Sequence, residues 1–332
     1  QRQMCIRDST WTTVASPNVG AGNNTPQSVS CVSANDCTAV GYFEDGLYFT
    51  ALILRWDGAS WTTVPSPNPG TSSDPLFGVT CVTSSDCTAV GHYDDGVRDA
   101  TSILHWNGAS WATVTSPNIG PYSNFLRSVS CVSTDDCTAV GSYVDNTSDA
   151  TLIMHWDGSA WTTVTSPNTG SYTNELRSVS CMAANDCTAV GTYFDGSHFR
   201  TLIERWDGST WTIVTSPNAS TRTNALDSLS CMTANDCTAV GNYEDGIHLA
   251  TLIQHWDGTA WTIVTSPNAG TSLNFLNAVS CATGSDCTAV GSFYNDGGRQ
   301  VTLVLQSVDP NPPAPSTSTT SIVDPVAPAF TG

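Results

Sequence analysis

The sequence predicts an all-β fold, a six-bladed β-propeller with four antiparallel strands in each blade. The first reason is a repeat: cysteine pairs recur every 50 residues, from Cys31 and Cys37 to Cys281 and Cys287. A period of this size indicates units that bury their cores against one another. The second reason is that each unit has four short segments rich in β-branched and aromatic residues. The third is the lack of any helical apolar period in the sequence.

The second unit shows the strands in chain order. They are predicted at residues 61–64, 76–81, 87–93 and 102–106. The dipeptides Asp95-Gly96 and Asn107-Gly108 suit tight turns that need a positive φ. Runs such as residues 51–54 are apolar on both faces, which indicates blades packed face to face.

The two ends of the repeat region predict how the ring closes. Residues 11–14 form one strand without a blade, and residues 301–305 follow two other strands of the sixth unit. Ser307 stands where the other units have a tryptophan, and no further Trp-Thr strand follows. One N-terminal outer strand and three C-terminal strands therefore make the sixth blade, and closure removes the exposed sheet edge.

The composition divides the chain into three parts. Residues 1–9 match no unit and resemble a translated sequencing-adapter read, so we expect a non-native leader and a missing export signal. Residues 10–308 are the predicted propeller, and residues 309–332 are a linker rich in Pro, Ser and Thr. Residues 328–332 weakly resemble a sortase sorting signal, and both wall anchoring and a plain linker to another domain stay open.

Twelve of the thirteen cysteines form regular pairs, which favours disulfides in an oxidising compartment. The alternative is zinc, but the C-x₅-C spacing and the lack of a recurring histidine disfavour it. We therefore predict an extracellular or cell-surface protein without a metal or cofactor. The predicted pairs are Cys31–Cys37, Cys81–Cys87, Cys131–Cys137, Cys181–Cys187, Cys231–Cys237 and Cys281–Cys287.

The charge excludes some classes of partner. The formal net charge is −19, and all ten basic residues are arginine. This acidity disfavours nucleic acid and anionic membrane surfaces. No run is long enough to span a bilayer. We predict a monomer whose partners are glycans or extracellular proteins.

The order of the motifs resembles that of Kelch and galactose-oxidase-type propellers. A Tyr or Phe follows Val-Gly by one residue in several units, and a Trp opens the outer strand after a turn. The chain is also similar to uncharacterised secreted bacterial propellers with V-S-C, C-T-A-V-G and W-D-G-x-x-W units, over residues 10–308. It has Val-Gly where Kelch units have a double glycine. The resemblance implies a ligand face built by the blade-to-blade loops and the loops between second and third strands.

Most recurring polar residues are interpreted as structural. We expect hairpin turns at Asp57-Gly58 and its equivalents, and blade packing by the eleven tryptophans. The residue before the tryptophan that ends each third strand is histidine in some units and arginine in others. A metal ligand or general base would not be exchanged for arginine, so this position is interpreted as structural. Its residues are Arg55, His105, His155, Arg205 and His255. The aspartates before each second cysteine are interpreted as turn caps, with calcium ligation as the alternative; they are Asp36, Asp86, Asp136, Asp186, Asp236 and Asp286.

Function is predicted from the loops, where the units differ most. The units are nearly alike and no unit carries a unique cluster of His, Glu and Asp, so we predict a non-enzymatic binding propeller for glycan or protein ligands. The alternatives are a polysaccharide hydrolase or lyase and a purely structural surface module. The candidate ligand-binding residues are Tyr93, Tyr122, Arg127, Tyr143, Tyr172, Arg177, Tyr193, Arg222 and Tyr243.

Overall fold

The computed structural model describes residues 14–307, apart from residues 147, 171, 284, 285 and 296. Every named element in this part is a strand, as predicted. No helix there is long and apolar enough to cross a membrane.

The strands form six antiparallel sheets, one for each repeat. The first three sheets consist of β1 (Asn24–Ser33), β2 (Asp36–Asp45), β3 (Tyr48–Trp56) and β4 (Trp61–Thr63); β5 (Leu76–Thr83), β6 (Asp86–Asp94), β7 (Asp99–Trp106) and β8 (Trp111–Thr113); and β9 (Asn124–Ser133), β10 (Asp136–Asp145), β11 (Ser148–Trp156) and β12 (Trp161–Val164). The other three consist of β13 (Asn174–Ala183), β14 (Asp186–Phe194), β15 (Phe199–Trp206) and β16 (Trp211–Ile213); β17 (Asn224–Thr233), β18 (Asp236–Glu244), β19 (Leu249–Trp256) and β20 (Trp261–Val264); and β21 (Asn274–Thr283), β22 (Asp286–Tyr294) and β23 (Gln300–Gln306).

Each blade is a meander whose first strand faces the ring centre, so the predicted six-bladed propeller is confirmed. Within a blade the two cysteines lie directly opposite each other on the first two strands, and all six predicted disulfides are present. The strand expected at residues 11–14 falls almost wholly outside the described residues. The fourth strand of the sixth blade therefore stays a prediction.

The hydrophobic core lies between neighbouring blades. Val40 and Ile53 of the first blade pack against Leu76 and Val79 of the second, and all four are at most 7% exposed. The next four junctions repeat this arrangement. On the sixth blade the equivalent residue, Val290, is 40% exposed, so among the described residues it is less covered than its five counterparts, which are at most 1% exposed.

A β-bulge interrupts the inner strand of every blade. In the third blade Leu126 pairs with Gly141 and Ser128 pairs with Val140, so Arg127 has no partner in the ladder. A Cβ on Gly141 would lie against the Phe125 carbonyl oxygen, far inside the 3.0 Å that real Cβ atoms respect. The bulge therefore explains the glycine of C-T-A-V-G, because the carbonyl takes the space of a side chain.

The Ser-Pro-Asn motif fastens the loop between blades to a third strand. Asn168 Oδ1 accepts a hydrogen bond from the Thr151 N–H at 2.9 Å, and the Ser166 and Thr151 hydroxyls are 2.6 Å apart. The same contacts recur at Asn118 and Asn268. The asparagine side chain of each motif thus fixes its blade-to-blade loop to the backbone of a third strand.

The aspartates before the second cysteines act differently from their predicted role as turn caps. Asp36 Oδ1 accepts a hydrogen bond from Arg55 at 2.7 Å, whereas the turn itself is held by Ser33, whose hydroxyl accepts from the Asn35 N–H. His155 lies 3.0 Å from Asp136 in the same way. The cause is strand pairing, which brings the slot before the tryptophan beside this aspartate on the neighbouring strand.

The third strand of the fourth blade buries a glutamate. Glu204 takes the position held by Leu or Met in the second and third blades, and it is 0% exposed. Its Oε2 accepts from the Ser166 hydroxyl at 2.8 Å, and Oε1 has no partner. Burial raises the pKa of Glu204 to about 8, opposed by that hydrogen bond. In the fifth blade Gln254 fills the same position and makes two hydrogen bonds, to Ser216 and the Pro217 carbonyl.

Replacing Gly141 by alanine should destabilise the protein by about 1–3 kcal/mol, because the added methyl displaces the bulged backbone. The urea midpoint of unfolding measures this change. The control Thr163→Ala, at an exposed position of the same blade, should stay within about 0.5 kcal/mol. Equal midpoints for both variants would contradict the assigned role of the glycine.

Glu204→Gln should stabilise the protein increasingly as the pH rises. The folded pKa of about 8 lies above the usual value near 4.5, so wild-type stability falls as the pH rises through this interval. Glutamine does not titrate, and Gln254 shows that a glutamine is accommodated with hydrogen bonds at the equivalent position of the fifth blade. Between about pH 5 and pH 8 the free energy of unfolding, obtained from urea titrations, should fall by roughly 2 kcal/mol more in wild type than in the variant. Thr163→Ala, which removes no titratable group, is the control and should keep the wild-type slope.

Candidate functional site

The bulges decide what faces the ring centre. A cavity of about 1260 Å³ at the centre is lined by the inner strands of all six blades. One bulged residue of each blade lies on its wall, near the end at which the inner strands begin. These six are Gln27, Phe77, Arg127, Arg177, Asp227 and Asn277. The scaffold around them repeats, but the residues themselves are five different types.

Charged side chains from three blades join in one network on this wall, which we call the ionic arc. Arg127 Nε donates to Glu175 at 3.2 Å, and Arg177 Nε donates to the other oxygen of Glu175 at 3.2 Å. Arg177 Nη1 also donates to Asp227 at 2.6 Å. Asp227 accepts in addition from Asn242 at 3.2 Å. The arc spans the third, fourth and fifth blades.

Arg177 is the centre of the ionic arc. Burial opposes its charge, but Glu175 and Asp227 outweigh burial and raise its pKa. Burial raises the pKa of Asp227, and Arg177 offsets part of this rise. One guanidinium thus holds two carboxylates that would otherwise repel each other.

Aromatic rings cluster around Phe77, the bulged residue of the second blade, and we call this cluster the aromatic arc. Phe49 and Tyr42 have ring centroids 5.0 Å apart, and Tyr42 and Phe77 have centroids 6.5 Å apart. His92 stacks on Phe77 at 5.5 Å and meets Phe125 edge-on at 4.9 Å. These distances are typical of aromatic pairs that attract each other.

The two arcs meet at Arg127. Its guanidinium lies 5.0 Å from the centroid of Phe77, in cation–π geometry, while its Nε is bound to Glu175. Burial lowers the pKa of His92 to about 4, with Asp99 opposing and Arg127 assisting this change. His92 is therefore neutral near pH 7. The rings thus belong to the first three blades, and the fixed charges belong to the third, fourth and fifth.

Four of the predicted tyrosines lie at one repeated position near the end of the second strand. Tyr93, Tyr143, Tyr193 and Tyr243 are all half-buried. Tyr143, Tyr193 and Tyr243 pack against the hydrophobic clusters of their own blades. Their ligand-binding role stays a prediction, and the structure adds a packing role for these three.

The other five predicted residues divide into three that lie apart and two that are brought together. Tyr122, Tyr172 and Arg222 are exposed on loops of three different blades. Arg127 and Arg177 are brought together in the ionic arc, linked through Glu175.

The asparagines of these loops hold the loops in shape. Asn124 is 0% exposed; its Oδ1 accepts from the Ile119 N–H, and its Nδ2 donates to the Tyr122 carbonyl at 2.8 Å. Asn224 makes the equivalent contacts. These amides are therefore occupied by the loop backbone.

Three residues of the two arcs, Phe77, Glu175 and Asp227, are not among the site residues predicted from the sequence. No single unit carries a cluster, but the ring brings single residues of neighbouring units together. One sequence signal for such residues is variation between units. The residue three positions after Asn24, Asp74, Asn124 and their equivalents differs from unit to unit, whereas the residues around it largely repeat. Only a bulge, however, turns that position towards the channel.

The fold is shared with known proteins of low sequence identity. Neither a protein-family model nor a curated protein sequence matches the chain. Similar solved structures include YCF48 bound to D1 peptide, with 14% identity, a TM-score of 0.53 and coverage of 89% of this chain and 84% of that one. A protein of unknown function from Dyadobacter fermentans has 14% identity, a TM-score of 0.55 and coverage of 85% and 94%. A family PL25 ulvan lyase has 10% identity, a TM-score of 0.54 and coverage of 82% and 76%. These likenesses show the propeller fold alone, and membership of the Kelch family stays a prediction.

Arg177→Met should destabilise the protein by roughly 2 kcal/mol, because it leaves Glu175 and Asp227 without their shared cation in a partly buried site. The double variant with Asp227→Asn should recover part of this loss. Urea midpoints provide the measurement. Arg222→Met, which changes an arginine exposed on a loop of the fifth blade, is the control and should cost much less. An equal loss for both arginines would contradict the central place of Arg177.

Proposed function

We propose that this protein is an extracellular binding propeller that holds a glycan or a segment of another protein at the loop-face mouth of its channel. The observation that carries the proposal is the contrast at the bulges. Bulged strands and opposing glycines repeat in all six blades, whereas the six residues that they turn inward differ. If the channel wall served only to close the ring of blades, nothing in the packing would require the six inward residues to differ in chemistry.

The two arcs offer complementary chemistry for a ligand. The aromatic arc provides rings for stacking and apolar contact. The ionic arc provides fixed donors and acceptors, because its charges are held by one another. Arg127 is 35% exposed and joins the two. A ligand with an apolar face and a polar edge fits this arrangement.

The six disulfides support an extracellular location. Disulfides persist in oxidising compartments and are rare in the cytosol of mesophiles. Two neighbours support the two ligand classes: YCF48 binds a D1 peptide, and the ulvan lyase is bound to -[GlcA(1-4)Rha3S]-. Both are similar to this chain in fold alone.

A polysaccharide hydrolase or lyase is the second candidate, and one observation favours it. Burial raises the pKa of Asp227, as expected of a carboxyl that serves as an acid. Arg177 binds the same carboxylate at 2.6 Å, however, and Glu175 is shared between two arginines. Both acids are thus engaged in ion pairs, which supports binding over catalysis.

An array of glycans, wall polysaccharides and peptides tests this proposal. We expect saturable binding to at least one class, weakened by about tenfold or more in Phe77→Ala. Ile213→Ala removes an exposed apolar side chain from an outer strand and should leave binding unchanged. Cleavage of a polysaccharide that is abolished by Asp227→Asn would establish the enzyme instead. Binding to no member of any class would leave the structural surface module.

A further inference from the structure

The hairpins between second and third strands carry exposed aliphatic side chains at their tips. Leu47 is 91% exposed and Val97 is 90% exposed, on the first and second blades. The tip of the second blade is held in a fixed shape, because Asp95 Oδ1 accepts from the N–H groups of Val97 and Arg98 at 2.9 Å each. Val97 is therefore presented to solvent by an ordered turn.

The tip of the first blade continues into the aromatic arc. Tyr48 is 50% exposed and Phe49 is 42% exposed, directly after Leu47 in the chain. Phe49 contacts Tyr42, which lies beside Phe77 at the channel wall. An apolar surface thus runs from the rim of the first blade to the channel. Single exposed apolar residues are ordinary, but a continuous apolar surface is typical of a contact with another molecule.

Carboxylates are concentrated on the two hairpins that carry these exposed side chains. The hairpins at residues 42–50 and 92–100 contain five carboxylates and one arginine, namely Glu44, Asp45, Asp94, Asp95, Asp99 and Arg98. Arg98 is already committed to Asp95 at 3.7 Å and to the Gly120 carbonyl. A partner that covers the rings must therefore bring positive charge or leave these carboxylates unpaired.

We infer that the first two blades bind a protein segment that combines a large apolar side chain with lysine or arginine. This inference rests on the proposed function and names the ligand class of that site. The apolar side chain packs against Phe49, Tyr42 and Phe77, and the cation faces the rim carboxylates. A polar glycan would not cover the aliphatic side chains of Leu47 and Val97 with apolar surface. Anionic lipid headgroups would be repelled by the carboxylates.

Selection from a phage-displayed library of random dodecapeptides on the folded propeller is the test. We expect enriched peptides to pair Trp, Phe or Leu with Lys or Arg. Their binding should weaken by about tenfold or more in Phe77→Ala. It should also weaken when salt screens the rim charges.

Two further variants separate binding from folding. Leu47→Ser and Val97→Ser change side chains that are almost wholly in water, so the fold is kept, and each should weaken the enriched peptides severalfold. Ile263→Ala, on an outer strand of the fifth blade, is the matched control and should not change binding.

The outcomes distinguish this inference from the proposed function. Failure to enrich peptides, or enrichment of peptides that bind both tip variants like wild type, overturns the inference. Glycan binding that Phe77→Ala abolishes, without peptide binding, overturns it while the proposed function stands. Binding to vesicles of zwitterionic lipid that needs Leu47 and Val97 also overturns it. If the wild-type protein binds neither peptides nor glycans, both the inference and the proposed function are overturned.

Discussion

Near its start, each inner strand contains one extra residue relative to the strand it pairs with, and the two arcs at the channel depend on where that residue lies. In the third blade the extra residue is Arg127, and the neighbouring Phe125 carbonyl is accepted only because Gly141 has no side chain. The glycine, the bulge and the inward-facing residue are therefore one constraint. It repeats around the ring, so six side chains converge on one channel.

The constraint separates the positions that stabilise the blade junctions from the positions at which the proposed ligand would be contacted. Val40 and Ile53 stabilise a junction by packing against the next blade, and they recur with little change in the first five blades. The bulged position takes no part in the ladder, so its residue type varies without altering the strands. Phe77 and Asp227 occupy equivalent positions although their chemistry is opposite.

The two arcs differ in how their side chains are solvated before a ligand binds. The rings near Phe77 lose apolar surface when a ligand covers them, whereas Arg177 and its carboxylates are already hydrogen-bonded before a ligand arrives. Binding on the aromatic side therefore does not require the ionic side to reorganise. The acidic rim favours cationic partners through charge.

The sequence by itself determined the six-unit architecture, the strand order within a blade and all six disulfides. These features are local or periodic, and Cys31 and Cys37 face each other through a short hairpin. The assembly of Arg127, Glu175 and Asp227 was decided by the tertiary structure, because these residues lie about one repeat apart and meet only when blades pack. The pairing of Asp36 with Arg55 was likewise hidden, since it depends on strand register and not on the turn beside it.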